Sequence, residues 1–281
     1  MSSIEPGTDR ASLVLHKLAG YSGVIFRNPR TQTSMTHPIS QSILRGASNF
    51  RDIGGYKTVS GARVRHGRVY RSDHLGGLTQ SDLAILQSLP LTHSIDFRGV
   101  VERGALQYEI PGTTVVSLPI EPTAAKKVLQ LVENGYQPAD SEVVEIMCET
   151  YRGFVHDQAA TFGQFFRILL THTTPIVFHC TAGKDRTGFA AALLLSAMGV
   201  DRDTVMEDYL LSNTLYRRDP ALEGQGPSNV LSVLWQVQPA FLQAAFDAVD
   251  SRFGGVSQYL TGHVGMTGQE LDQLWDALLV K

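Results

Sequence analysis

The stretch PIVFHCTAGKDRTGFAAALLLSAMG, Pro175 to Gly199, decides how this chain folds. Its first part, Ile176 to His179, is a short β-branched and apolar run bounded by Pro175 and a glycine-containing segment, the pattern of a buried strand. Its last part, Thr187 to Met198, is apolar almost throughout and stops at Gly199, as a buried helix with a glycine end does. Between them lie only the seven residues Cys180 to Arg186. Strand, tight loop and helix form the repeating unit of an α/β layer.

Working outward, further β-branched runs occur at Val69 to Arg71, His93 to Phe97 and Thr114 to Leu118. Helical spacing separates them. Thr79 caps one helix that runs through Leu83, Leu86 and Leu89 to Pro90, and two helices fill Glu142 to Leu170. Asp201 to Leu211 and Gln269 to Val280 are further amphipathic helices. This alternation predicts an α/β fold with a central, largely parallel sheet flanked by helices. Two segments, Glu121 to Asp140 and Tyr216 to Val237, mix Gly, Pro and polar residues with helical spacing. Placed on either side of the key loop in sequence, they read as helical lid insertions or as plain surface insertions.

The 281 residues suffice for one substantial core. Residues 1–40, rich in Ser, Thr, Pro and Gly, read as a flexible tail or arm, and residues 41–281 as a single domain. No apolar run reaches the roughly 18–20 residues that span a bilayer, so no integral membrane association is expected. A net charge of −3 argues against nucleic acid as a partner, and an anionic substrate would need a local field. Two cysteines make no disulfide framework, and nine scattered histidines show no metal-ligand spacing, so no metal or cofactor is expected. No secretory signal peptide is visible, which fits a cytoplasmic protein or one exported without a cleavable signal. Oligomeric state is not legible.

The loop carries the chemistry. Backbone N–H groups at a strand-to-helix junction lack intrahelical partners, and the helix dipole adds partial positive charge, so an oxyanion fits there. Cys180 opens the loop, and a thiolate is a strong nucleophile for phosphorus. Arg186, six positions on, has the planar fork that grips two phosphate oxygens. Thr181, Ala182, Gly183 and Lys184 would surround the bound group, and Gly183 permits the backbone geometry. Thr187 can donate its hydroxyl to the sulfur, while His179 would hydrogen-bond the loop. A nucleotide-binding loop is excluded, because Asp185 follows Lys184 where Ser or Thr is required. Cys148 lies among Ile146, Met147 and Tyr151 and reads as a core residue.

With these residues the segment resembles the signature of the protein tyrosine phosphatase family. The form HCTAGKDRTG is similar to its atypical bacterial branch, which includes mycobacterial and Listeria enzymes. NFRDIGG (Asn49 to Gly55), YRSDHL (Tyr70 to Leu75), DFR with Glu102, DYLLSN (Asp208 to Asn213) and FGGVSQYL (Phe253 to Leu260) carry the likeness from about Ile43 to the C-terminus. The resemblance implies a tyrosine phosphatase-like fold and hydrolysis of phosphotyrosine through a phosphocysteine intermediate. Phosphoserine, phosphothreonine and phosphoinositides are the further substrates it allows. It implies Cys180 as nucleophile, Arg186 as phosphate clamp, and Lys184 with Asp185 as the pair tied to lipid recognition and acid catalysis. The Trp-Pro-Asp loop of other members is missing: Gln236 follows Trp235, and Asp276 follows Trp275. Two proton donors therefore remain in view, Asp185 within the loop and Asp96 at the end of a predicted strand. A lipid phosphatase, a phospho-ligand binding module without turnover, and an arsenate-reducing enzyme are the competing functions.

Overall fold

The computed structural model describes residues 43–218 and 226–281. The predicted tail, residues 1–40, lies outside them, as does part of the second predicted lid.

Five strands form the main sheet: β1 (Arg51–Asp52), β3 (Val69–Ser72), β4 (His93–Asp96), β5 (Thr114–Ser117) and β6 (Ile176–His179). Their order is β1-β3-β6-β4-β5. β6 is parallel to both of its neighbours, β4 is parallel to β5, and only β1 runs antiparallel, beside β3. A separate two-stranded ribbon pairs β2 (Arg63–Val64) with β7 (Leu279–Val280), closing the C-terminus onto the N-terminal part of the domain. Because β6 sits in the middle, its C-terminal end brings Cys180 to the centre of the edge where the parallel strands finish. In open α/β sheets that edge is where ligands bind.

Twelve helices accompany the strands among the described residues. Chain order gives α1 (Gln80–Ser88), α2 (Val100–Ala105), α3 (Thr123–Glu133), α4 (Asp140–Asp157), α5 (Ala159–Thr171) and α6 (Arg186–Ala197). Then come α7 (Arg202–Leu210), α8 (Ser212–Leu215), α9 (Ser228–Leu234), α10 (Pro239–Phe253), α11 (Val256–Gly262) and α12 (Gly268–Leu278). The start of α1 is set by a reciprocal cap between Thr79 and Asp82, as the sequence suggests. The expected lid segments fold as α3 and α9.

The period-two alternation of β6 divides the interior. Ile176 and Phe178 face one cluster, which also holds Phe162, Phe165, Phe189 and the leucines of α6; Val177 faces a smaller one with Phe50, Tyr70 and Leu86. Phe165 meets Phe178 edge-on at 5.0 Å between ring centroids, and Phe162 meets Phe189 likewise at 5.0 Å. Each fully buried phenyl ring contributes about 1.5–3 kcal/mol relative to exposure. Helix α6, apolar on all sides in sequence, is buried on all sides from Arg186 to Leu195.

Beneath the loop lies a buried charge cluster. Asp208 of α7 accepts from Arg51 Nε (3.0 Å), Arg71 Nη1 (2.6 Å) and the Tyr56 hydroxyl (2.9 Å). Burial alone would raise the Asp208 carboxyl, but the guanidiniums of Arg51 and Arg71 override it and hold it well below the usual carboxylate range. A depressed folded-state value means that this stabilisation is complete above the unfolded value of about 3.9 and is lost as pH falls below it. Asp208→Asn leaves two buried cations without a counter-charge. Urea denaturation at pH 7 should show a loss of about 3–5 kcal/mol. Repeated at pH 3, it should show a smaller gap between the variant and the wild type.

Candidate active site

The loop from Cys180 to Asp185 is held from behind by its carbonyls. Gly183 O accepts from Asn49 Nδ2 (2.8 Å) and Arg71 Nη2 (2.9 Å), Thr181 O accepts from the His74 amide (2.9 Å), and His179 O accepts from the Phe97 amide (2.9 Å). Gly183 adopts φ +64°, and a β-carbon there would stand 2.3 Å from Ser72 O and 2.6 Å from Asp73 N. Only glycine fits. With the carbonyls engaged, the amides of Thr181, Ala182, Gly183, Lys184 and Asp185 have no acceptor among the described residues. Cys180, which opens this run, is almost wholly buried and lines a cleft together with Thr181, Ala182, Lys184 and Asp185. A curve of free N–H donors at a helix start is a seat for a tetrahedral oxyanion.

Arg186, first residue of α6, extends along the floor. Its Nη1 and Nη2 make a two-pronged pair with Glu102 (2.6 and 2.9 Å), and Nη1 also donates to Ile120 O (2.9 Å). Its Nε–H has no partner among the described residues. Burial would lower the guanidinium, yet Glu102 more than offsets that, so Arg186 is a fixed cation. Glu102 in turn is third in α2, where it also caps the Gly99 amide at 2.8 Å, and the Thr181 hydroxyl donates to its other oxygen. The sequence offers Glu102 only as the acid that follows DFR in the family likeness; its reach to Arg186 spans 84 positions and carries no local signal.

The remaining expected residues separate into those at the cleft and those beside it. Cys180, Thr181, Ala182, Lys184, Asp185 and Arg186 line it. Asp185 accepts from the Tyr151 hydroxyl at 2.9 Å, and its side chain stays about one quarter exposed. Lys184 Nζ lies at the cleft but donates to Leu234 O at 2.7 Å, the last carbonyl of α9. Thr187 is buried below the loop and its hydroxyl makes no hydrogen bond, to the Cys180 sulfur or to anything else described. The carbonyl one turn back, Gly183 O, already holds two donors.

His179 and Asp96 stand behind the loop. His179 Nδ1 lies 3.0 Å from Cys180 O, and because a carbonyl only accepts, Nδ1 carries the proton; Nε2 then accepts from the Tyr108 hydroxyl at 2.6 Å. Burial holds this imidazole below its ordinary range and hence neutral. Asp96 is engaged by Arg98 through Nε and Nη2 (2.8 Å at the shortest) and opens onto a separate depression with Arg103 and Tyr108. Asp96 does not line the cleft of Cys180, and its Oδ1 lies 3.9 Å from His179 Nε2.

The walls are largely apolar. Ala124 and Leu129 of α3, Met147 and Phe154 of α4, and Leu231, Leu234 and Trp235 at α9 enclose the floor, in a cleft of about 1040 Å³ including its open mouth. Both expected lid segments therefore flank the site.

Residues 43–280 match the model of the tyrosine phosphatase family. A Cupriavidus necator protein named "Putative tyrosine-protein phosphatase" is 36% identical over 76% of this chain and 80% of its own length. The "Triple specificity protein phosphatase PtpB" of Mycobacterium tuberculosis is 34% identical over 60% of this chain and 68% of its own. Among solved structures, TpbA of P. aeruginosa superposes loosely, with a TM-score of 0.32 at 18% identity over 66% of this chain and 89% of that one.

Gly183→Ala should distort the seat. The left-handed backbone and the collision with Ser72 O together should lower unfolding free energy by about 2–4 kcal/mol. Tungstate, an inert tetrahedral oxyanion, should bind at least tenfold more weakly by titration calorimetry.

Proposed function

The chain belongs to the tyrosine phosphatase family, and we propose that it hydrolyses phosphotyrosine through a phosphocysteine intermediate on Cys180. The observation that carries this reading is that the five consecutive loop amides after Cys180 lack acceptors among the described residues, and that Cys180 and Arg186 line one largely apolar cleft with this loop. The phosphoryl oxygens would sit on the amides of Thr181 to Asp185 and on Arg186. The Cys180 thiolate attacks phosphorus as the bond to the tyrosyl oxygen breaks, and Asp185 gives that oxygen its proton. In the second step Asp185 takes a proton from water as the water oxygen attacks phosphorus, and the sulfur–phosphorus bond breaks to return the thiolate. The Thr187 hydroxyl, unpartnered among the described residues, would turn to donate a hydrogen bond to the sulfur as the electron pair returns to it. His179 supports the loop through the Cys180 carbonyl rather than through sulfur.

The walls favour an aromatic alcohol. A phenyl ring gains from burial among Leu129, Met147, Phe154 and Leu231, whereas the hydroxyls of an inositol ring would lose water there without finding partners. Lys184 supports the second reading, a phosphoinositide phosphatase, because its ammonium lies at the cleft within reach of an additional phosphate. It would first have to leave Leu234 O. The name of the mycobacterial relative adds phosphoserine and phosphothreonine to the panel worth testing.

Purified protein should hydrolyse p-nitrophenyl phosphate, and Cys180→Ser should reduce turnover to background. Residual turnover in that variant at the wild-type rate would sink the mechanism. Arg186→Ala should lower kcat by at least about 10²-fold, the usual cost of one charge-stabilising group. On phosphotyrosine peptides kcat/KM should exceed that on phosphoinositide vesicles by tenfold or more; the reverse order would establish the lipid reading.

A further inference from the structure

Asp185 occupies the N-cap position of α6, yet its carboxylate bonds to no backbone amide of that helix. Aspartate at this position ordinarily caps the first turn. Here it is turned aside, and Oδ1 is held by the Tyr151 hydroxyl at 2.9 Å. Tyr151 is fully buried in α4 and does not line the cleft. Its oxygen lies 2.6 Å from the Tyr209 hydroxyl, which is also buried.

The direction of this chain follows from counting protons. A phenol has one proton, and a carboxylate only accepts. Tyr151 therefore donates to Asp185, and Tyr209 must donate to Tyr151. Burial raises both phenols well above their ordinary range, so neither donor is lost by ionisation. The rings are fixed as well. Tyr151 packs against Phe154 at 5.2 Å and Phe241 at 5.9 Å, and a β-carbon at Gly188 would stand 3.0 Å from the Tyr209 ring. The glycine that closes the HCTAGKDRTG segment thus leaves room for the second phenol.

We propose that Tyr151, backed by Tyr209, is the positioning residue of the proton donor: it fixes one carboxyl oxygen of Asp185 so that the other, Oδ2, is presented to the leaving oxygen. This rests on the assignment of Asp185 as that donor. Lys184 Nζ lies 3.8 Å from Oδ2, too far for a hydrogen bond, which leaves that oxygen available to carry the proton. No other hydrogen bond to the Asp185 side chain occurs among the described residues, so the phenol is the one hydrogen bond that fixes the carboxyl's rotation.

The test compares two substrates that differ in their need for a proton. p-Nitrophenolate leaves readily as the anion, and the phenolate of phenyl phosphate does not. Tyr151→Phe keeps the ring and removes the donor. It should reduce kcat on phenyl phosphate at least tenfold more than on p-nitrophenyl phosphate, a share of the 10²–10⁴ that acid catalysis is worth. Tyr209→Phe should shift the same ratio by a smaller factor. Asp185→Asn should shift it by more, and adding Tyr151→Phe to Asp185→Asn should shift it no further. If Asp185→Asn leaves the ratio unchanged, the donor assignment itself is wrong. If Asp185→Asn moves the ratio and neither phenol variant does, the donor stands and the positioning role is overturned. A further shift in the double variant would likewise overturn it, since Tyr151 would then act apart from Asp185. Should Tyr151→Phe fail to fold by circular dichroism, Tyr209→Phe alone decides by the same ratio.

Discussion

Five backbone N–H groups at the end of β6 have nothing among the described residues to bond to, and the surrounding structure keeps them that way. Leaving buried amides unpaired costs free energy, so such a loop survives only where its surroundings over-determine it. They do so from the carbonyl side. Asn49 and Arg71 share Gly183 O, the His74 amide takes Thr181 O, and the strand ladders on both sides of β6 fix where the loop begins. Arg71 is held in place by Asp208, which also holds Arg51. A charge cluster below the loop therefore sets the geometry of neutral dipoles above it.

Formal charge contributes less to this seat than its arginine and lysine suggest. Arg186 is matched by Glu102, and Lys184 stands near Asp185 and on a helix-terminal carbonyl. The cations are positioned and largely neutralised before any ligand arrives. What remains uncompensated is the set of amide dipoles and the N-terminus of α6, which act at short range and only on a group of the right shape. A chain with net charge −3 can thus be specific for an anion. The apolar walls from α3, α4 and α9 lower the local dielectric around those dipoles, which strengthens them at short range.

Much of this was legible in the sequence because it is local. The strand, loop and helix around Cys180 carry their own periodicity, and four of the parallel-sheet strands fall where β-branched runs occur. The pairings of the two-residue strands β1, β2 and β7 were not legible, since two residues have no period to detect and their partners lie far along the chain. The same distance hid Glu102 and Tyr151. Glu102 has the position of an ordinary helix cap, and Tyr151 occurs at core spacing between Met147 and Phe154, so each shows its structural duty first. Asp96 is the converse case. The end of a parallel strand is a usual place for a functional acid, but Arg98, two residues on, folds back and claims it. Lys184 faces the cleft as expected, yet its ammonium is engaged by a helix end that no local pattern could place there.

The contact between Gly188 and the ring of Tyr209 ties two distant positions into a single evolutionary choice. A larger side chain at 188 and an aromatic at 209 compete for the same space. Drift at either site is therefore constrained by the other, and the two should vary together or not at all across descendants of this fold. Where an ancestor exchanged the ring for something smaller, the helix would be released from glycine, and the carboxyl at its head would lose the outer of the two hydroxyls behind it.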